Sequence, residues 1–228
     1  MPEIYSLSSE HEVADFIKNC NSEEVPIEIT GHNSKSIGRL IQCSKSLHLK
    51  NLSGIIEYFP EELYIKVKAG TPLALIEIEL DKKNQELSFE PPDMGFLYNG
   101  RSNKGSIGGA VACNLSGSRR FRAGALRDHI LGFRGINGKG EIVKSGGTVV
   151  KNVTGYDVSK LITGSYGTLV ALTEIVLKVQ PKNEESQTLL VNNINLKKAL
   201  NIFLNQCKLP LKFLGHVFIQ QKCLSFLN

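Results

Sequence analysis

The sequence predicts a chain of mixed helix and strand, and three observations carry that expectation. Segments with a 3.6-residue apolar spacing alternate with short segments of period two through the first 80 residues. Sixteen of the 21 glycines fall between Gly95 and Gly167, where apolar strands interrupt them, so they mark tight turns in a β-rich region. A long alternating run, Thr168 to Val179, then closes at Pro181.

In chain order, Glu3 to Ser6 reads as a short extended segment. Ser8-Ser9-Glu10 offers a helix N-cap for a segment with Val13, Phe16 and Ile17 at helical spacing, ending at Asn19 to Ser22. Val25 to Thr30 reads as a buried strand running into the polar turn Gly31 to Ser36. Ser46 to Leu49 and Gly54 to Tyr58 read as short strands, and Leu63 to Ala69 alternates as a half-buried one. Thr71 is placed to cap a helix with Pro72 in its first turn and Leu73, Ile76 and Leu80 as its apolar stripe. The prolines of Leu87 to Gly95 impose a stiff extended path. Strands follow at Ile130 to Ile136 and Glu141 to Lys144, joined by Asn137-Gly138-Lys139-Gly140 as a hairpin. Asp157 begins a short helix to Leu161. Asn183 to Gln187 is the best internal boundary, followed by a strand at Thr188 to Val191 and a helix at Leu196 to Gln206.

Composition narrows the function classes. The 228 residues, 41% hydrophobic and 21% charged, are those of a globular protein with a real core. No apolar run approaches the roughly 18 residues of a membrane span, and the N-terminus shows no secretory pattern, so a cytoplasmic location is the default. Five scattered cysteines without C-x-x-C spacing argue against an iron–sulfur cluster, a zinc knuckle or a dithiol site in this chain. The five histidines form no H-x-H or H-x-x-x-H pair, so no metal site is expected, and no acid/base pair stands out. A net charge of +5 suits an anionic ligand, but the absence of Trp leaves little support for nucleic-acid binding.

Two stretches point to phosphate chemistry. Lys104 to Gly124 combines a glycine cluster, a run of tiny residues, Asn114 and then Arg119, Arg120 and Arg122. Tiny residues let another molecule approach the backbone closely, although the same composition also describes a glycine-rich surface loop. Gly31 to Lys35 follows a strand, and His32 and Asn33 are residue types that adopt positive φ, so its amides are placed to converge on an anion. A plain turn is the competing reading. Sequences for a Rossmann site, a Walker A loop and a nucleophile elbow are absent.

Six motifs taken together resemble one family. I-T-G-H-N-S-K-S, A-G-T-P-L, E-P-P-D, S-I-G-G-A-V-A-C-N-L-S-G, K-N-V-T-G-Y-D-V-S-K-L and G-S-Y-G-T-L are similar, in order and spacing, to the PCMH-type FAD-binding domain of vanillyl-alcohol-oxidase-like flavoproteins. Within it they most resemble the FAD-binding subunits of glycolate oxidases and related D-2-hydroxyacid dehydrogenases. The resemblance implies an α+β fold over residues 1–181, with a small parallel-sheet lobe at about 1–90 and a mainly antiparallel lobe at about 91–181. Residues 182–228 would be the start of a cap domain that in relatives continues well beyond this length.

The resemblance also implies FAD, held non-covalently, as the cofactor. Gly31, His32, Asn33, Ser34 and Lys35 would bind its pyrophosphate. Ile107, Gly108, Gly109, Asn114 and Gly117 would follow its ribityl and phosphate portion, and Pro92 lies in the E-P-P-D motif beside it. Gly167 and Leu172 would lie by the flavin or adenine end, with Tyr156 and Asp157 as structural support. His32 and Asn33 depart from the family's usual glycine or serine, and Val170 from a usual glycine. The implied activity is oxidation of glycolate or a D-2-hydroxyacid, with a second flavin subunit and an iron–sulfur subunit as partners and any membrane association peripheral, through that complex. Catalytic residues are left open, since relatives carry theirs in the cap. A non-catalytic scaffold and a truncated gene product are the alternatives.

Overall fold

A computed structural model describes residues 2–35, 42–147, 156–186 and 190–206. The chain opens with β1 (Glu3–Ser6), α1 (Glu10–Ser22), β2 (Ile27–Thr30) and β3 (Lys45–His48). The three strands form a parallel sheet in the order β1-β3-β2. α1 starts where the sequence places it. Ser9 Oγ accepts from the Glu12 amide at 3.2 Å, and the Glu12 carboxylate accepts from the Ser8 and Ser9 amides at 2.9 and 3.1 Å. This reciprocal cap satisfies amides that the first helical turn leaves without partners.

The chain continues through β4 (Ile55–Phe59), β5 (Tyr64–Lys68), α2 (Leu73–Asp81), β6 (Gln85–Glu86), α3 (Met94–Asn99), α4 (Ile107–Cys113) and α5 (Arg120–Ala123). After a 3-10 turn at Leu126–Asp128 come β7 (Ile130–Asn137), β8 (Ile142–Gly146), α6 (Val158–Ile162), β9 (Val170–Lys178), β10 (Gln180–Pro181) and α7 (Leu196–Gln206). Five strands make an antiparallel sheet in the order β4-β5-β9-β7-β8, and β10 pairs with β6. The division between the two sheets therefore falls between His48 and Ile55, not near residue 90. β5 is the reason: it pairs with β9, and its apolar face (Ile65, Val67) is buried in the same core as Ile175 and Leu177, so the β4–β5 hairpin belongs to the second sheet.

α2 and α4 cover one face of this sheet. Leu73, Ile76 and Leu80 of α2 and Ile107, Ala110 and Val111 of α4 share a core with Ile65, Val67, Ile175 and Leu177. A smaller core joins the sheets: Val13 and Ile17 of α1 pack with Leu47, Leu49 and Leu52 on one side and Ile136 and Ala171 on the other. The Glu10 carboxylate reinforces that seam by accepting from Arg134 Nε at 2.7 Å and Thr173 Oγ1 at 2.7 Å.

Three local expectations change. Thr71 does not cap α2; its buried hydroxyl donates to Lys68 O at 2.6 Å and accepts from the Gly54 amide at 3.0 Å, pinning the loop before β4. Lys104 to Gly124 is not a continuous open loop, because it contains α4 and α5. Of the strand expected at Thr188 to Val191, Leu190 and Val191 lie outside regular structure and the earlier part lies outside the described residues. Lys151 to Gly155, Cys207, His216 and Cys223 also lie outside them.

Candidate functional site

Strand β2 of the parallel sheet ends at Thr30 and runs into the turn Gly31 to Lys35. Among the described residues, the five successive amides from Gly31 to Lys35 have no hydrogen-bond acceptor. Asn33 lies in the left-handed region at φ 48°, as its residue type allows, so the turn is curved rather than extended. Successive amides left without acceptors in a curved turn are the kind of backbone on which anions bind.

Side chains hold the turn in place. His32 Nε2 lies 2.9 Å from Gly70 O, and as that partner only accepts, the ring donates there. Ser34, only 3% exposed, has its hydroxyl under Gly105: a Cβ there would stand 2.2 Å from Ser34 Oγ. Reciprocally, a Cβ on Gly31 would stand 2.3 Å from Ser106 Oγ. The turn and the segment before α4 thus interlock through two glycine–serine contacts. Lys35 Nζ donates to Ser34 Oγ at 3.2 Å and Lys104 O at 3.4 Å and has no carboxylate ion-pair partner among the described residues. Burial pushes its pKa down, with Cys113 and Asp93 acting weakly the other way. Burial likewise pushes the Cys113 thiol up, opposed by Lys35.

Beside this turn lies a cleft of about 60 Å³. Its walls include the apolar Ile29, Leu49, Ala69, Val170 and Leu172, and Gly31, Gly108, Gly109 and Gly167 also line it. The rim is the turn Ser165-Tyr166-Gly167, which is docked on the end of α4: the Gly164 and Tyr166 amides donate to Val111 O and Ala112 O at 3.0 and 2.9 Å.

The expected site residues separate into three groups. Gly31, Gly108, Gly109, Gly167 and Leu172 line the cleft, and His32, Asn33, Ser34 and Lys35 continue the turn from Gly31 without lining it. Ile107 is wholly buried in the core beneath α4. Pro92, Asn114 and Gly117 do not line the cleft. Asn114 is the left-handed C-cap of α4 at φ 50°, and its Oδ1 accepts from the Arg127 amide at 3.2 Å. Gly117 donates to Phe89 O, and a Cβ on it would stand 2.4 Å from Glu90 O.

The α4 amides differ sharply from those of the first turn. Gly108 donates to Ala69 O at 2.8 Å and Gly109 to Ser106 Oγ at 3.2 Å. These glycines bring α4 close to the strand end; their donors are not free for a ligand. Ser106, Ile29, Leu49 and Tyr166 were missed as site residues. Ser106 has a legible signal, a serine directly before an apolar run, whereas Ile29 and Leu49 look like any strand residues. The arginine cluster is partly structural: Arg119 makes a two-pronged pair with Glu86 at 2.8 and 2.9 Å and reaches Glu90 at 3.4 Å. Asp157 caps α6 by accepting from the Lys160 amide at 3.2 Å. No group of three or more metal-ligating side chains occurs among the described residues.

Residues 3–146 match the FAD binding domain family. The chain is 42% identical over 181 residues to glycolate oxidase subunit GlcE of Escherichia coli (strain K12), covering 79% of this chain and 49% of that protein. It is 31% identical over 195 residues to a D-lactate dehydrogenase of Anaerostipes hadrus, covering 85% and 39%. It is 30% identical over 191 residues to glycolate oxidase subunit GlcD of Bacillus subtilis (strain 168), covering 82% and 39%. The chain therefore spans about half or less of the length of these relatives. A solved alkyldihydroxyacetonephosphate synthase has the same fold, with a TM-score of 0.64 at 22% identity over 78% of this chain and 31% of that one.

Proposed function

The chain belongs to the FAD binding domain family, with FAD as its cofactor, and on that premise we propose that it is the FAD-binding part of a 2-hydroxyacid oxidoreductase of the glycolate oxidase kind. The observation that carries this reading is the row of acceptor-free amides from Gly31 to Lys35 beside an apolar cleft. The residues fit the group: a pyrophosphate needs many convergent donors and tolerates a nearby cation, and the turn offers five amides and the Lys35 ammonium. The adjoining apolar walls suit a flat heteroaromatic ring.

In this reading Gly31 to Lys35 hold the pyrophosphate, while Gly108 and Gly109 let α4 form the cleft floor. His32 is engaged with Gly70 O, which supports non-covalent rather than histidine-linked flavin. Gly167 and Leu172 line the ring pocket. Pro92, Asn114 and Gly117 shape the continuation of the site toward the reacting end. Bound FAD supplies the two-electron acceptor for converting glycolate or a D-2-hydroxyacid to the 2-oxoacid, with electrons leaving through a partner iron–sulfur subunit. The names of the two glycolate oxidase relatives, subunit GlcE of E. coli and subunit GlcD of B. subtilis, support a multi-subunit setting, in which we take one partner to be a second flavin subunit. No helix among the described residues is long and apolar enough to cross a membrane, and we place the complex in the cytoplasm.

Titrating the purified chain with FAD, followed by absorbance and calorimetry, tests the cofactor site. Stoichiometric binding with a perturbed flavin spectrum is expected; a chain that neither retains nor takes up FAD would overturn the proposal. Reconstitution with flavin and iron–sulfur subunits and assay with glycolate and D-lactate tests the reaction.

A further inference from the structure

Tyr166 has an unusual placement that neither the fold nor the amide row explains. It is an aromatic residue at φ 54°, between Gly164 at 88° and Gly167 at 75°. A bulky side chain in the left-handed region is an outlier that persists only where its surroundings fix it. They do so here: the Tyr166 amide donates to Ala112 O, and Ser165 O accepts from the Thr168 amide at 3.0 Å and hydroxyl at 2.6 Å. What the strained backbone achieves is the ring's position. It stands at the rim of the cleft, 59% exposed, facing no other aromatic ring among the described residues. A glycine in its place would serve the turn better, so the turn alone does not call for tyrosine.

We infer that the Tyr166 ring stacks on the adenine of the cofactor, closing the open side of the apolar slot. This deepens the FAD reading above and rests on it. Adenine is assigned because Gly31 belongs both to the amide row and to the cleft wall. A ring group in this cleft therefore lies directly beside the phosphates. In FAD the adenine is joined to the pyrophosphate through a single ribose, whereas the three-ring isoalloxazine stands off on a ribityl chain. Ile29, Leu49, Ala69, Val170 and Leu172 supply the apolar surface for one side of the base, and the tyrosine supplies the facing one. Every base presents a π-face to such a platform.

The test is calorimetric titration of the apo chain and its variants with FAD, ADP and FMN, together with apo melting temperatures. Tyr166→Gly is expected to weaken FAD and ADP about tenfold while leaving FMN unchanged, since one stacked base contributes roughly that factor. Its apo melting temperature should not fall, because glycine relieves the φ strain. Tyr166→Phe should bind all three as the wild type does. The inference is overturned if Tyr166→Gly binds FAD as tightly as the wild type, if FMN rather than ADP is weakened, or if Tyr166→Phe loses as much as Tyr166→Gly. Failure of the wild-type chain to bind FAD would instead sink the FAD reading, and it shows in the first titration before any variant is compared.

Discussion

Gly31–Lys35 and Ser106–Gly117 look alike in sequence, small and glycine-bearing with one asparagine each, yet their backbones are used in opposite ways. In the first turn five consecutive amides have no acceptor among the described residues. In the second the amides of Ile107, Gly108 and Gly109 are taken by Thr71 O, Ala69 O and Ser106 Oγ. The asparagines differ less: Asn33 and Asn114 are both left-handed, one within the turn and the other ending a helix. Glycine packs closely against the protein in both stretches, but only the first leaves its amides without acceptors among the described residues. The contrast makes a sharp demand: Gly108→Ala should cost more stability than Gly31→Ala, and removing the Lys35 charge should cost binding rather than stability.

The largest expected effect is at Gly108. A Cβ there would meet Ala69 O at 2.7 Å, and that carbonyl is held by the Gly108 amide itself. Gly108→Ala gains up to about 1 kcal/mol of helix propensity. Forcing the backbones apart should outweigh it, for a net loss of about 1–3 kcal/mol by urea denaturation. Gly31→Ala meets only the Ser106 hydroxyl, at 2.3 Å, with the Ser106 Cβ at an ordinary 3.5 Å. Its cost is the displaced cap of α4, about 1 kcal/mol, and the Gly31→Ala/Ser106→Ala double variant should be no less stable than Ser106→Ala alone. Equal destabilisation by Gly108→Ala and Gly31→Ala would break the contrast.

Much of this was legible beforehand. The caps of α1 and α6, the amphipathic stripes and the Asn137–Gly140 hairpin follow from local chemistry, whereas the cap expected from Thr71 does not form because its hydroxyl is taken by Lys68 O and the Gly54 amide. The two phosphate-like stretches were also visible as candidates. What could not be read was which amides stay free, because the acceptors Thr71 O and Ala69 O reach α4 only through the tertiary fold. Glycines also hid α4 itself, since their low helix propensity masks a segment stabilised by burial of Ile107, Ala110 and Val111. The assignment of β4 and β5 to the second sheet was hidden for a similar reason: pairing partners 110 residues apart leave no local trace.

A middle-sized effect is expected at Lys35, and it falls on binding. Its ammonium is largely desolvated, with two neutral acceptors among the described residues, and that burial is why its pKa is depressed. Lys35→Met keeps the stem and removes the charge, so apo stability should hold or rise. FAD affinity should fall about tenfold, in keeping with a charge-assisted hydrogen bond of roughly 1.5–3 kcal/mol. Parallel losses of stability and affinity would instead make Lys35 a structural residue.

The smallest effect concerns the far end of the second stretch and appears with pH. His129 is buried against Phe89 with ring centroids 5.5 Å apart; Nε2 donates to Ala123 O at 2.8 Å, and Nδ1 has no partner among the described residues. Burial lowers its pKa, partly offset by the Ala123 carbonyl and Asp128, while Lys178 lowers it further. The unfolded chain then binds more protons than the folded one around the ordinary histidine value of about 6.5. The stabilisation from neutral His129 is therefore fully present above that value and is lost as pH falls through it. Melting temperature should decline from pH 7.5 to 5.5, and His129→Gln, which retains a donor without titrating, should flatten the decline. Since the Gly31–Lys35 amides do not titrate and His129 lies outside the cleft, Lys35→Met and His129→Gln should act independently on affinity and on the pH profile. A His129→Gln variant with an unchanged slope would show that the decline arises elsewhere.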